Sequence, residues 1–156
     1  MMHLLASIDP PWYSNITIWV VVASWTLAQA IKFATAYVVS KKLDFTYFVS
    51  TGGMPSAHSA AACGLAASVG MREGFHSAVF AVSLVFAAIV MFDAQSVRRA
   101  AGKQARLLNQ IVDELFKHHH LSQEKLAELL GHTRLEVFGG LVTGTVIAVI
   151  GHRVFA

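Results

Sequence analysis

GGMPSAHSA, residues 52–60, sets two glycines, a proline, two serines and a histidine at the mouth of an apolar helix. The chain around it decides the fold class. Of its 156 residues only 13% are charged, where a soluble domain carries ~25%, and the mean hydropathy is +0.56. Such a composition belongs to an integral membrane protein. Residues 16–39 are long enough to cross a bilayer, which takes ~20 residues, although Gln29 and Lys32 interrupt them. Shorter apolar segments follow at 57–71, 76–92 and 137–150, and each must extend into its flanks to span. The expectation is an all-α integral membrane helical bundle forming a single domain over 1–156. About four transmembrane helices are expected near 16–39, 55–72, 76–97 and 134–152. No basic region precedes the first apolar run, so no cleaved signal peptide is expected. Cys63, the single cysteine, has no intrachain partner and reads as a small buried residue.

Between the third and fourth spans lies a polar insertion. Leu107, Leu108, Ile111, Val112, Leu115 and Phe116 recur at helical spacing among Lys103, Arg106, Asp113, Glu114 and Lys117. This predicts an amphipathic helical insertion over roughly 100–131, with a second helix starting at the N-cap Ser122 and ending at Gly131. His118, His119 and His120 are consecutive and share no helix face, so they read as a solvated turn rather than a metal site. The positive charge decides orientation. Lys41, Lys42 and most of the insertion's basic residues fall in two loops, while Arg72 and Arg153 lie on the other side. The positive-inside bias makes both basic loops and the insertion cytoplasmic. With a net charge of +3 spread in this way, the partner is the membrane and not nucleic acid.

That topology draws polar residues of four segments to one membrane face. Lys32 lies near the cytoplasmic end of the first helix, and GGMPSAH opens the second. Asp93, Arg98 and Arg99 close the third, and His132 with Glu136 opens the fourth. Ionisable groups at membrane depth are costly and mark function. In the opening stretch, proline suits the first turn of a helix, and Gly53 lets backbone approach a ligand. The helix start offers free N–H groups to an anion, Ser56 adds a hydroxyl, and His58 can give or take a proton. An ordinary helix start with an interfacial histidine fits the same residues. His132 and Glu136, four apart, share a helix face, and a carboxylate there orients an imidazole. Thr133 and Glu136 also make a capping box, in which the carboxylate only serves the helix end. Arg98 and Arg99 suit bidentate phosphate binding or juxtamembrane anchoring, and Asp93 suits pairing with a cation of the site. Gly140, Thr143 and Gly144 read as small residues for close helix packing.

Together these residues resemble the superfamily of type 2 phosphatidic acid phosphatases and vanadium haloperoxidases, in its small divergent bacterial and plant branch. PSAH at 55–58 is similar to that superfamily's proline-serine-glycine-histidine motif, with Ala57 for glycine. His132 with Glu136 resembles its histidine followed four residues later by an acid. Ser96, Arg98 and Arg99 resemble its serine-arginine, and Lys32 resembles the lysine of its first motif. The likeness runs from about Lys32 to Gly144. Three features depart from the pattern. Val39 and Ser40 stand where an arginine-proline pair belongs, about 33 residues separate Arg99 from His132, and about four spans stand in place of six.

The resemblance implies hydrolysis of a phosphomonoester or diphosphate without a metal or other cofactor. By position, His132 would attack phosphorus, Glu136 would orient it, and His58 would protonate the leaving oxygen. Lys32, Gly53, Ser56 and Arg98 or Arg99 would hold the phosphoryl oxygens, with Asp93 pairing to a cation among them. A lipid phosphate is the expected substrate, at the cytoplasmic face of the bacterial inner membrane, and homo-oligomerisation would complete or shield the small bundle. The alternative is a non-catalytic anion-binding or transport membrane protein that retains the phosphate cradle. A metal-dependent phosphotransferase, faintly suggested by Asp93 and Arg98, lacks the further aspartates it needs, since Lys103, Arg106 and Asn109 occupy that region.

Overall fold

The computed structural model describes residues 11–41, 53–115 and 131–155. A 3₁₀ turn at Trp12–Ser14 leads into α1 (Ile16–Ser40), followed by α2 (Ala57–Glu73), α3 (Ala78–Phe92), a π-helix at Asp93–Val97, α4 (Arg98–Leu115) and α5 (Arg134–Phe155). The fold is an all-α membrane bundle. Each of the first three helices has a side-chain N-cap, which satisfies donors that a membrane interior cannot. Asn15 Oδ1 accepts from Thr17 N at 3.1 Å, Ser56 Oγ from Ser59 N at 3.4 Å, and Ser77 Oγ from Phe80 N at 3.1 Å. Pro55 therefore precedes the cap of α2 instead of occupying its first turn. Ser56 offers an acceptor side chain, which proline cannot.

α3, the π-helix and α4 form one uninterrupted helix, where the sequence pattern suggests a membrane helix ending at 97 and a separate one from 100. The reason is local. Between Ala78 and Ala101 there is neither glycine nor proline, so the apolar-to-polar change at Asp93 alters the surroundings without breaking the backbone. Leu107, Leu108 and Ile111 form an exposed apolar stripe on α4. The second insertion helix, His118 to His120, Lys42 and Gly52 lie outside the described residues, as do the side chains of Arg98 and Arg99.

α2 is the hub, packed by α1, α3 and α5, with α1 also against α5. Among the described residues three helices are long and apolar enough to cross a membrane: Ile16–Val38, the run from Ala78, and Arg134–Phe155. α2, with 17 residues, is not among them, and its neighbours rather than lipid cover it. It is rich in Ala, Gly and Ser, and Ala57, Ser59, Ala60, Ala62, Cys63 and Gly64 are all buried. Large apolar side chains face outward instead, Trp19, Trp25, Phe86 and Ile89 among them. Lipid tails are as apolar as leucine, so nothing drives such residues inward, and close backbone packing holds the helices together.

The closest packing joins α2 to α5. A Cβ on Gly144 would collide with the Ala60 carbonyl and stand 2.7 Å from Gly64 N, and one on Gly140 would collide with the Ser56 carbonyl. The Gly140-x-x-x-Gly144 step thus meets Ser56, Ala60 and Gly64 backbone to backbone. Gly139 has room by comparison: its tightest neighbour is the flexible Met54 Cε at 3.3 Å, and Pro55 Cβ stands at an ordinary contact distance of 3.4 Å. Gly144→Ala should therefore destabilise the bundle by about 3 kcal/mol, the cost of overpacking against backbone that cannot retreat. Gly139→Ala should cost under ~1 kcal/mol, because the Met54 side chain can move. Thermal unfolding of both variants in detergent checks the difference, and equal melting temperatures would contradict it.

Candidate functional site

Lys32, Ser56, Ser59 and His132, all buried, lie toward one end of the bundle. α1 turns a narrow stripe inward, Thr17, Val20, Ser24, Ala28 and Lys32, at the three- and four-residue steps of one helix face. Lys32, near the C-terminal end, is only 4% exposed. It does not snorkel to the interface. Its ammonium lies within coulombic range of the Glu136 carboxylate, and Gly53 folds over its stem. Gly53 adopts φ +98°, and a Cβ there would stand 3.0 Å from Lys32 Cγ, so both the dihedral and the contact call for glycine.

His132 is the largest side chain buried to under 2% exposure among the described residues; the next largest are serines, Ser24, Ser56, Ser59 and Ser68. Two contacts hold it at the mouth of α5. Its N–H donates to the Ala94 carbonyl in the π-helix at 3.0 Å, its Nδ1 lies 2.8 Å from Glu136 Oε2, and it sits just before α5. The π-helix thereby ties the α3–α4 rod to the start of α5.

Glu136 serves two purposes with one oxygen. Oε2 accepts from Thr133 N at 3.2 Å while Thr133 Oγ1 accepts from Glu136 N at 3.3 Å, which is a complete capping box. The same Oε2 meets His132 Nδ1. Capping and imidazole orientation coexist here, where the sequence leaves them as alternatives. With Nδ1 as the donor, Nε2 carries the lone pair, the form required of a nucleophile or base.

The GGMPSAHSA stretch docks onto this centre through its backbone. Ser56 N donates to the Glu136 carbonyl at 2.9 Å. The Ser56 hydroxyl is fully buried and takes donors from Ser59, from N at 3.4 Å and from Oγ at 3.1 Å, so it fixes the start of α2. His58 stands on the first turn of α2 with an exposed side chain, and Asp93 opens the π-helix, half-buried. Lys32, Gly53, Ser56, His132 and Glu136 thus meet at one end of the bundle. Arg98 and Arg99 start α4 one turn past Ala94, with their side chains outside the described set. Sequence reasoning overlooks the Ala94 carbonyl and the Glu136 carbonyl, because backbone acceptors leave no mark on residue type.

This chain is similar to proteins of the divergent PAP2 family, which matches residues 13–147. It is also 42% identical over 139 residues to the uncharacterized membrane protein YuiD of Bacillus subtilis (strain 168), covering 82% of this chain and 88% of that one. No solved structure matches it. The chain belongs to the divergent PAP2 family.

The shared oxygen makes a structural prediction. Thr133→Ala removes half of the capping box and should cost ~1 kcal/mol. Glu136→Ala removes the cap and also leaves the buried His132 Nδ1 without its acceptor, adding a further ~1–3 kcal/mol. Unfolding temperatures in detergent should fall in the order wild type, Thr133→Ala, Glu136→Ala. An equal fall in the two variants would mean that the imidazole contact contributes nothing.

Proposed function

We propose that this member of the divergent PAP2 family is a metal-independent membrane phosphatase that hydrolyses a lipid phosphate or diphosphate through a phosphohistidine. The observation that carries the reading is the His132–Glu136 contact of 2.8 Å, formed beside the buried Lys32. A histidine whose Nδ1 is committed to a carboxylate presents Nε2 to phosphorus. In the first step an Nε2–P bond forms and the P–O bond to the leaving group breaks. His58 gives its proton to the departing oxygen. In the second step water attacks phosphorus, the N–P bond breaks, and His58 takes back a proton from that water. Lys32, the guanidinium groups of Arg98 or Arg99, and the backbone around Gly53 neutralise charge on the transferring phosphoryl group. Asp93 pairs with a cation of that set, and Ser56 holds the start of α2 in place.

A lipid substrate is favoured by an apolar groove of about 410 Å³ between α2, α3 and α5. Met91 and Leu141, near its upper end, lie close in sequence to the π-helix and to Glu136, and Phe75 and Phe80 close its far end. The distribution of basic residues supports a site on the cytoplasmic face, in keeping with a bacterial inner-membrane protein. A second reading has its own observation. His132 is 1% exposed and the Ser56 hydroxyl is spent on capping, which suits a protein that binds an anion without turning it over.

Phosphate release from a panel of lipid phosphates separates the two. His132→Ala should abolish release, whereas His58→Ala should slow it by about 10²–10⁴-fold and leave substrate binding largely intact. EDTA should have no effect. Full activity in His132→Ala, or strict dependence on added Mg²⁺, would refute the mechanism. Vanadate binding without release from any lipid would favour the second reading.

A further inference from the structure

The opposite end of the bundle carries a second constellation, remote from His132. A cleft of about 680 Å³ opens between the N-terminal part of α1, the C-terminal part of α2 and the start of α3. Its walls are apolar, with Val21, Val22, Leu65 and Val69 among them, and its polar groups are confined to Asn15, Thr17, Arg72 and Glu73. From Asn15 to Val22 the cleft descends ~10 Å along α1. Its volume is that of a small-molecule site.

Depth in the membrane identifies the medium. Trp12, Tyr13 and Trp19 are all more than half exposed, and Trp19 Nε1 donates to the Tyr13 carbonyl at 2.8 Å. Exposed Trp and Tyr clustered at one end of a spanning helix mark the headgroup layer. Asn15 caps that helix, so the polar mouth lies among headgroups and the apolar walls lie among acyl chains.

The charges at the mouth select the headgroup. Arg72 Nη1 donates to Asn15 Oδ1 at 2.7 Å, and Arg72 Nε lies 3.4 Å from Glu73 Oε1. These contacts aim the guanidinium from its edge and leave Nη2 without a protein partner among the described residues. The Arg72 and Glu73 side chains are 44% and 50% exposed, and a surface pair of this kind contributes little stability. It can open to a ligand at small cost. A purely anionic headgroup would gain Arg72 and meet the Glu73 carboxylate. A headgroup with both signs would satisfy both residues, and a primary ammonium donates hydrogen bonds that a trimethylated one lacks.

We propose that this cleft binds a zwitterionic aminophospholipid, its phosphate on Arg72, its ammonium on Glu73 and one chain along the α1–α2 wall. The ligand belongs to the leaflet facing away from His132, so this site is distinct from the phosphatase site and does not depend on that reading.

The test uses the full chain, delipidated in detergent, with native mass spectrometry counting bound dihexanoyl phosphatidylethanolamine, phosphatidylcholine or phosphatidylglycerol. Wild type should retain one phosphatidylethanolamine at least tenfold more tightly than either competitor. Glu73→Gln should erase the preference over phosphatidylglycerol, and Arg72→Gln should weaken all three lipids tenfold or more. Glycerophosphoethanolamine, which has no acyl chains, should fail to compete. His132→Ala should bind as wild type does, since it lies at the other end. Because Glu73 is exposed, its variant should keep the wild-type melting temperature, so a lost preference is not misfolding. Equal retention of the three lipids, or a preference that survives Glu73→Gln, would reduce the cleft to ordinary boundary lipid and overturn the proposal. Full competition by the chain-free headgroup, or loss of binding in His132→Ala, would overturn it as well.

Discussion

The approach of α5 to α2 is the contact on which the rest of the structure depends. Gly140 and Gly144 let the backbone of α5 reach the carbonyls of Ser56 and Ala60, a distance that no side chain would permit. At that separation Ser56 N meets the Glu136 carbonyl at 2.9 Å. One hydrogen bond thus joins two segments some 80 residues apart, and with them His132, Gly53 and Lys32. Had the packing relied on larger side chains, the axes would stand further apart and the bond could not form.

Lipid as the solvent explains the inversion of the usual interior. In water, burying large apolar side chains drives folding. In a bilayer they are as well solvated outside, so α1, α3 and α5 turn Trp19, Phe86, Ile89 and Val146 outward. The interior is left to small residues and to polar groups, most of them hydrogen-bonded, as Ser56, Ser59, Ser68 and His132 are. α2, which bears the motif, has the shortest claim to a membrane span by composition and the most protected position in the fold. A helix shielded by neighbours can follow a proline and begin with a buried serine cap and a histidine without exposing backbone to hydrocarbon.

Much of this was legible in the residues. Composition predicted an all-α membrane bundle, and the Gly140-x-x-x-Gly144 step pointed to close packing. Other features were not legible, for physical reasons. The capping box and the oriented imidazole looked like rivals because both need Glu136, yet one carboxylate oxygen has lone pairs for both. The π-helix at Asp93–Val97 leaves no periodic trace over five residues, and its use, offering the Ala94 carbonyl to His132 N, is a tertiary contact. The unbroken helix from α3 into α4 was hidden by a change of polarity that resembles a boundary. Polarity reports what surrounds a helix, and only glycine, proline and caps report where it ends.

His132 is the residue that the fold itself does not need. The capping box requires Thr133 and Glu136 alone, and the tie to the π-helix uses the His132 backbone, which any residue but proline supplies. Burying an imidazole against a carboxylate gives no clear advantage over an apolar pair of equal volume, because desolvation offsets the attraction. Next to it stands Lys32, a cation buried in a span where aliphatic side chains are the default. A bundle selected for stability alone would replace both. Their placement at one end, with the backbone of Gly53 set against the lysine stem, is an arrangement that packing alone does not explain.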